Sequence, residues 1–210
     1  DFSADNRGRS TFDVKVVHTR HWADRSGSEW RNFARIGSSP ALSTEWWSPW
    51  TLQLPDGLSA FWSASAATQR HTVDYHLNPD DDPAATVRRQ RSELALDLGL
   101  NWRELGEWRL GWVSQNLRDD PRIVSSALSE ASASGGPDVQ RWKEQGWRLR
   151  AVFDQLDHAF FPLKGWRVDG QWFHGHLSDR GSTPIDEGTL RLLSLQGQTV
   201  HTWGRHTWSL

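Results

Sequence analysis

The 210-residue chain has no cysteine, no methionine and one tyrosine. Without cysteine it holds no disulfide, a state compatible with a periplasmic or outer-membrane location. Its mean hydropathy is −0.70 and no long apolar run is present, which excludes a transmembrane helix. The formal net charge of −2 excludes a strong overall preference for nucleic acid or anionic lipid. No Gly-x-Ser-x-Gly nucleophile elbow occurs, so the chain is read as non-catalytic. No stretch has a convincing helical period; residues 138–145 offer one or two turns at most. An initiator methionine and a signal peptide are also missing, and the chain opens on the loop-like Asp1-Phe2-Ser3-Ala4-Asp5-Asn6-Arg7-Gly8. The expectation is a piece of a longer protein.

What the chain has in excess is tryptophan, 15 residues against one tyrosine. That is several-fold above ordinary soluble usage. Indole has an apolar body and one N–H that wants a partner, so it favours membrane–water interfaces. A membrane β-strand needs an apolar residue only at every second position, which reconciles many tryptophans with low hydropathy.

Period-two alternation recurs along the chain. Leu94, Leu96, Leu98, Leu100 and Trp102 point one way, and Glu93, Ala95, Asp97, Gly99 and Asn101 the other. Nine residues of strand span about 30 Å, enough to cross a bilayer when tilted. Phe12, Val14 and Val16 alternate with Asp13 and Lys15, and Trp108, Leu110 and Trp112 with Glu107, Arg109 and Gly111. Trp147, Leu149, Ala151 and Phe153 oppose Arg148, Arg150, Val152 and Asp154; Trp166, Val168 and Trp172 oppose Arg167, Asp169 and Gln171. Charge opposite a Trp/Leu row suits a polar lumen and a lipid-facing exterior. Leu96 and Leu98 are then expected in lipid, with Gly99 at a wet lumen position that tolerates larger residues.

Strands are expected at 11–22, 29–36, 41–53, 58–77, 86–102, 107–117, 147–157, 166–177 and 188–203. Long connections lie outside and short turns in the periplasm in outer-membrane barrels. Parity puts 23–28, 53–57, 103–106 and 158–165 at the periplasmic end. Connections 37–40, 78–85, 118–146 and 178–187 fall at the other. The expected fold class is all-β: an antiparallel up-and-down transmembrane β-barrel, incomplete, with about nine or ten strands in a single partial domain over 1–210.

Between two alternating segments lies Asp154-Gln-Leu-Asp157-His-Ala-Phe160-Phe161-Pro162-Leu-Lys-Gly165. An Asp pair followed by Phe-Pro-x-x-Gly resembles the turn of bacterial surface-antigen barrels, the superfamily of BamA and TamA. Asp154, Asp157, Phe161, Pro162 and Gly165 carry that likeness as a structural turn motif. Further segments resemble the barrel of patatin-like autotransporters. These are Thr11-Phe12-Asp13-Val14, Gly27-Ser-Glu29-Trp30, Ile36-Gly37, Glu45-Trp-Trp-Ser-Pro49, Leu98-Gly-Leu-Asn101 and Gly106-Glu-x-Arg-Leu-Gly111-Trp. The resemblance implies an outer-membrane translocator for a covalently linked lipase passenger. Its implied partners are outer-membrane lipid and the barrel-assembly machinery, with no nucleic acid and no cofactor. Neither the lipase nor the small periplasmic domain of that family is present in these residues, nor is its later Arg-Gly-aromatic lumen loop.

Other chemistry is weaker. The histidines fall in pairs, His18/His21, His71/His76, His174/His176 and His201/His206. Only His174 and His176 share a strand face at chelating distance, without a third ligand. Asp80–Asp82 lacks the glycine and distal glutamate of a calcium loop and reads as a solvated turn. No catalytic, cofactor or metal residue is therefore assigned. Two other readings stay open: a BamA/TamA-like assembly factor, and a soluble carbohydrate-binding β-sandwich using Trp46, Trp47 and Trp50. In the last, Trp46 and Trp50 would share a face and Trp47 would oppose them.

Overall fold

The computed structural model describes residues 2–4, 10–50, 54–75, 85–103, 105–124, 139–158, 162–181, 187–204 and 206–209. The strands are β1 (Phe2–Ala4), β2 (Ser10–Arg20), β3 (Glu29–Gly37), β4 (Ala41–Pro49), β5 (Leu58–Tyr75) and β6 (Ala85–Trp102). They continue as β7 (Gly106–Val124), β8 (Gln140–Asp154), β9 (Lys164–Asp179), β10 (Gly188–Trp203) and β11 (His206–Ser209). All lie in one antiparallel sheet in chain order, a pure up-and-down meander. Among the described residues β1 and β11 do not pair, so the sheet is open.

The nine expected strands are present, with corrections at their ends. β7 runs on to Val124 and β8 begins at Gln140, so the expected 118–146 connection shrinks to 125–139. Residues 140–145 are strand and not helix. Residues 2–4, within the opening read as loop-like, pair with β2. β4 stops at Pro49, which cannot donate to a ladder. Pro121 sits beside the register irregularity at Thr86/Val87, the place a strand proline is tolerated.

The sheet curls, and the alternation sorts its side chains by face. Cross-strand partners share a face, so the register of each pair extends the assignment across the sheet. The convex face carries Leu94, Leu96, Leu98, Leu110, Trp112 and Trp147, between 42% and 64% exposed. The concave face carries Asp97, Gln115 and Asp119, which are buried. Buried hydrophobics are few: Ala60, Phe61, Ala95, Val113, Phe173 and Val200. This is the reverse of a water-soluble domain, where large apolar side chains fill the interior.

Phe61 is fully buried and sits opposite Gly99. Its ring occupies the space a Cβ on Gly99 would need. Trp47 flanks that ring at 5.4 Å, and the Arg109 guanidinium lies over it at 5.1 Å. Gly99 does face the concave side, but a phenyl ring fills the position where open water was expected. Gly99→Ala should therefore cost about 1–3 kcal/mol through overpacking. Adding Phe61→Leu should recover most of that loss in urea unfolding. Equal stability of Gly99→Ala and the parent would refute the wedge.

Candidate functional site

The Asp154–Gly165 turn is closed by its own carboxylates. Asp154 accepts from the Leu156 amide at 3.1 Å and pairs with Arg167 at 3.1 Å. Asp157 accepts from the amides of Leu163 at 2.9 Å and Lys164 at 3.2 Å. The ladder continues through Gln155 N–H to the Trp166 carbonyl at 2.8 Å. Gly165 has φ +119°, and a Cβ there would run into the Gln155 carbonyl. Pro162 is half-buried two residues before β9. Phe161 lies outside the described residues. The motif is thus a structural device, with Asp157 as its hub. Partial desolvation pushes the Asp157 carboxyl up, but the Leu163 and Lys164 amides outweigh it and hold the carboxyl below the usual aspartate range.

The concave face holds a ladder of charges that reaches across strands. Arg109 on β7 pairs with Glu45 on β4 at 2.5 Å and with Glu107, and donates to Ser63 at 3.3 Å. Arg148 on β8 pairs with Glu93 at 2.7 Å and Asp97 at 3.4 Å, both on β6. Arg31 joins Glu29 at 2.7 Å and Glu45 at 3.4 Å, and its guanidinium lies over Trp47 at 5.5 Å. In a flat sheet strands three apart lie about 14 Å from one another. The Arg109–Glu45 contact measures how tightly β4–β7 are rolled. The Asp97 side chain is 3% exposed, and its Oδ1 has no hydrogen-bond partner. Each arginine here is matched by carboxylates, so the wall presents balanced charge and no surplus of one sign.

The convex apolar belt has an upper edge at the long-connection end, marked by polar residues on β5 to β10 and by the strand ends on β2 to β4. Its last apolar residues are Phe12, Ile36, Leu42, Ala66, Leu94, Trp112, Trp147, Trp172 and Leu193 on β2 to β10. On the same face Thr68, Ser92, Ser114, Gln145, His174 and Arg191 follow. The edge runs obliquely to the hydrogen-bonded rows. Ala66 pairs with Leu94, Trp112 with Trp147 and Trp172 with Leu193, so three strand-to-strand moves leave it unshifted. The other five shift it by two residues each, as where Trp112 pairs with Leu96 and Leu42 with Thr68. Trp147 pairs with His174, Ala34 with Leu42 and Val14 with Ile36. Five shifts of two residues make ten over eight moves. At about 3.3 Å per residue and 4.8 Å per strand, the belt is inclined by about 40° to the rows.

The weaker candidates are dispersed. Among the described residues no three metal-ligating side chains converge. His174 stacks on Trp172 at 5.7 Å, and His21 pairs with Glu29 at 2.8 Å. His76 and Asp80–Asp82 lie outside the described residues. Trp46 points to the convex face with Trp30, while Trp47 lies on the concave face beside Phe61. They form no single platform.

No family model, curated protein or solved structure matches the chain. Its reading depends on its own geometry.

Alternation alone gave neither the inward position of Phe61 nor the partnerships of Glu45, Arg109 and Arg148. Glu45, Arg109 and Arg148 stood at inward positions, as charges on the face opposite the Trp/Leu rows. Two outcomes check the arrangement. In a double-mutant cycle, Arg109→Gln and Glu45→Gln should show a coupling of about 1–3 kcal/mol; additive losses would mean the pair does not hold the curl. Gly165→Val should lower the yield of folded protein sharply, by strain of about 1–3 kcal/mol plus the carbonyl clash. Gly197→Ala, whose Cβ meets nothing within 4 Å, should be neutral. Asp157 has a depressed folded pKa, so its contribution is complete above the unfolded value of about 4 and disappears as pH falls through the folded one. Hydrogen exchange at the Leu163 and Lys164 amides should lose protection below about pH 4, and Asp157→Asn should abolish that pH dependence.

Proposed function

We propose that this chain is a segment of a bacterial outer-membrane β-barrel with its convex face in lipid. In this reading it is the non-catalytic translocator of a patatin-like phospholipase autotransporter, serving secretion or display of a covalently linked lipase. Its other partners are outer-membrane lipid and the machinery that inserts barrels.

The observation that carries the membrane part is the oblique belt. A bilayer's hydrocarbon slab is flat, so an apolar belt lying in it is level with the membrane plane. A belt inclined by about 40° to the hydrogen-bonded rows then corresponds to strands tilted by that angle from the membrane normal. Outer-membrane barrels have strand tilts of about 35–45°. A soluble wall has no reason to end its apolar residues along such a line. The sandwich reading fares worse, because a second sheet would cover the leucine row of β6. Here Leu94, Leu96 and Leu98 are 64%, 63% and 58% exposed, and all strands lie in one sheet.

The autotransporter assignment is supported by the turn at Asp154–Gly165 and by the order of shorter motifs from Thr11 to Gly111. A BamA/TamA-like assembly factor shares the same turn. The linked passenger separates the two, and surface exposure of a lipase in the intact protein is its readout.

For the membrane part, Leu98→Arg should cost about 2–4 kcal/mol when the intact protein is refolded into vesicles. Brominated acyl chains should quench Trp112 and Trp147 while sparing Trp47. A monomer that refolds in plain buffer and accepts Leu98→Arg without loss would overturn the reading. An epitope placed in 125–138 should be labelled on whole cells. Labelling only after permeabilisation would reverse the sidedness.

A further inference from the structure

The net charge of −2 conceals a local excess of the opposite sign. One hydrogen-bonded row crosses four strands through Arg70, Gln90, Arg118 and Arg141. Each is an even number of residues from the apolar edge on its own strand, so all lie on the convex face. Arg88 is two residues from Gln90, and Lys143 is two from Arg141, on the same face. Arg70 and Lys143 stand four residues beyond the edge at Ala66 and Trp147; Arg88, Arg118 and Arg141 stand six beyond Leu94, Trp112 and Trp147. On strands tilted by about 40° that is about 10–15 Å above the edge, so the long side chains turn back toward the belt to meet headgroups that extend about 5–8 Å beyond the hydrocarbon.

These five cations form no ion pair among the described residues. Two carboxylates share this face: Asp120, directly across from Arg88, pairs with Arg122 at 3.2 Å, and Asp74 accepts from the Thr86 hydroxyl at 2.7 Å. Arg118 and Arg141 are direct cross-strand partners, an arrangement that costs stability between like charges unless an anion lies over both. On the concave face, by contrast, Arg31, Arg91, Arg109 and Arg148 all have carboxylate partners. Unpaired arginines just above an apolar belt are placed for an anion carried by the molecules that cover the belt.

We propose that this patch binds the headgroup of a lipid bearing more than one phosphate, in the leaflet at the long-connection end. The inference rests on the membrane reading above. Arg118 and Arg141 supply adjacent guanidiniums for one phosphate, each offering paired N–H donors. Arg70 and Arg88 lie toward one side and Lys143 toward the other, spaced for a second phosphate.

The test uses the intact protein that carries these residues. Insertion is first read by protease protection in phosphatidylcholine vesicles, which hold no anionic lipid. Binding of a bisphosphorylated glucosamine lipid is then titrated in detergent micelles by native mass spectrometry, with phosphatidylcholine as comparison. The bisphosphorylated lipid should be retained preferentially. Arg118→Gln combined with Arg141→Gln should weaken it about twenty-five-fold, the product of about fivefold for each cation near an anionic surface. Arg25→Gln, in the turn at the opposite end, should leave it unchanged. Equal retention of both lipids, or unchanged affinity in the double variant, would overturn the proposal. Displacement of the lipid by an equal concentration of inorganic phosphate would also overturn it, by making a free anion the ligand. Loss of protection in phosphatidylcholine alone would instead mark failure of the membrane reading, separately from the lipid titration.

Discussion

Arg109 and Glu45 meet across the two strands that separate β4 from β7, and they can do so only because the sheet is rolled. Rolling crowds one face and spreads the other. On the crowded face Arg148, Glu93 and Asp97 come within reach of one another although they sit on strands two apart. Phe61 fills the hollow left by Gly99 beneath Arg109. On the spread face the leucines and tryptophans separate and lose cover. The apolar exterior and the ion-paired interior are thus two results of one curvature, which the Arg–carboxylate bridges hold in place. Such bridges are strong where water is scarce, since a charge left without its partner there is costly.

The strands and the two faces were legible because the period-two pattern survives wherever one face is apolar. Strand ends were not. Residues 118–124 and 140–146 continue the ladder with Arg118, Asp119, Asp120, Arg141, Lys143 and Glu144, polar on both faces. Beyond the belt both faces carry polar residues, so alternation fades although the hydrogen bonds go on. Phe61 was hidden for another reason. It adjoins Trp62, and two neighbouring aromatics do not say which of them points inward. Charges at 45, 109 and 148 were legibly inward, but partners three strands apart depend on a radius of curvature that no local pattern contains. At the turn, Gly165 was readable from its spacing to Pro162, whereas the role of Asp157 as an acceptor for two amides needed the geometry.

Two turns at one end of the sheet are each organised by an aspartate that accepts from two backbone amides. Asp24 accepts from the Ser26 hydroxyl at 2.6 Å, from the Ser26 amide at 2.9 Å and from the Ser28 amide at 3.1 Å. Hydrogen bonds from Ser26 and Ser28 bring its pKa down to about 2. Ser28 in turn donates to Ser48 on β4 at 2.8 Å. Asp157 repeats the device between β8 and β9. Carboxylates in these turns act as templates for backbone amides, which is why acids precede the glycine at both places.

Each of the five hairpins closed at that end has a residue of positive φ in or beside its connection: Gly27, Gly57, Arg103, Gly165 and Gly204. Each connection closes a pair of consecutive strands, so the sheet divides into hairpins whose partners are neighbours along the chain. Closure of such loops involves little chain entropy, and hairpins of this kind form within about 1–10 μs. Attaching one hairpin to the next is slower, because its outer wall of leucine and tryptophan has no cover in water. The kinetic hazard for this protein therefore lies between hairpins and not within them. A holding factor that shields a preformed hairpin would protect it at the stage where aggregation competes with assembly.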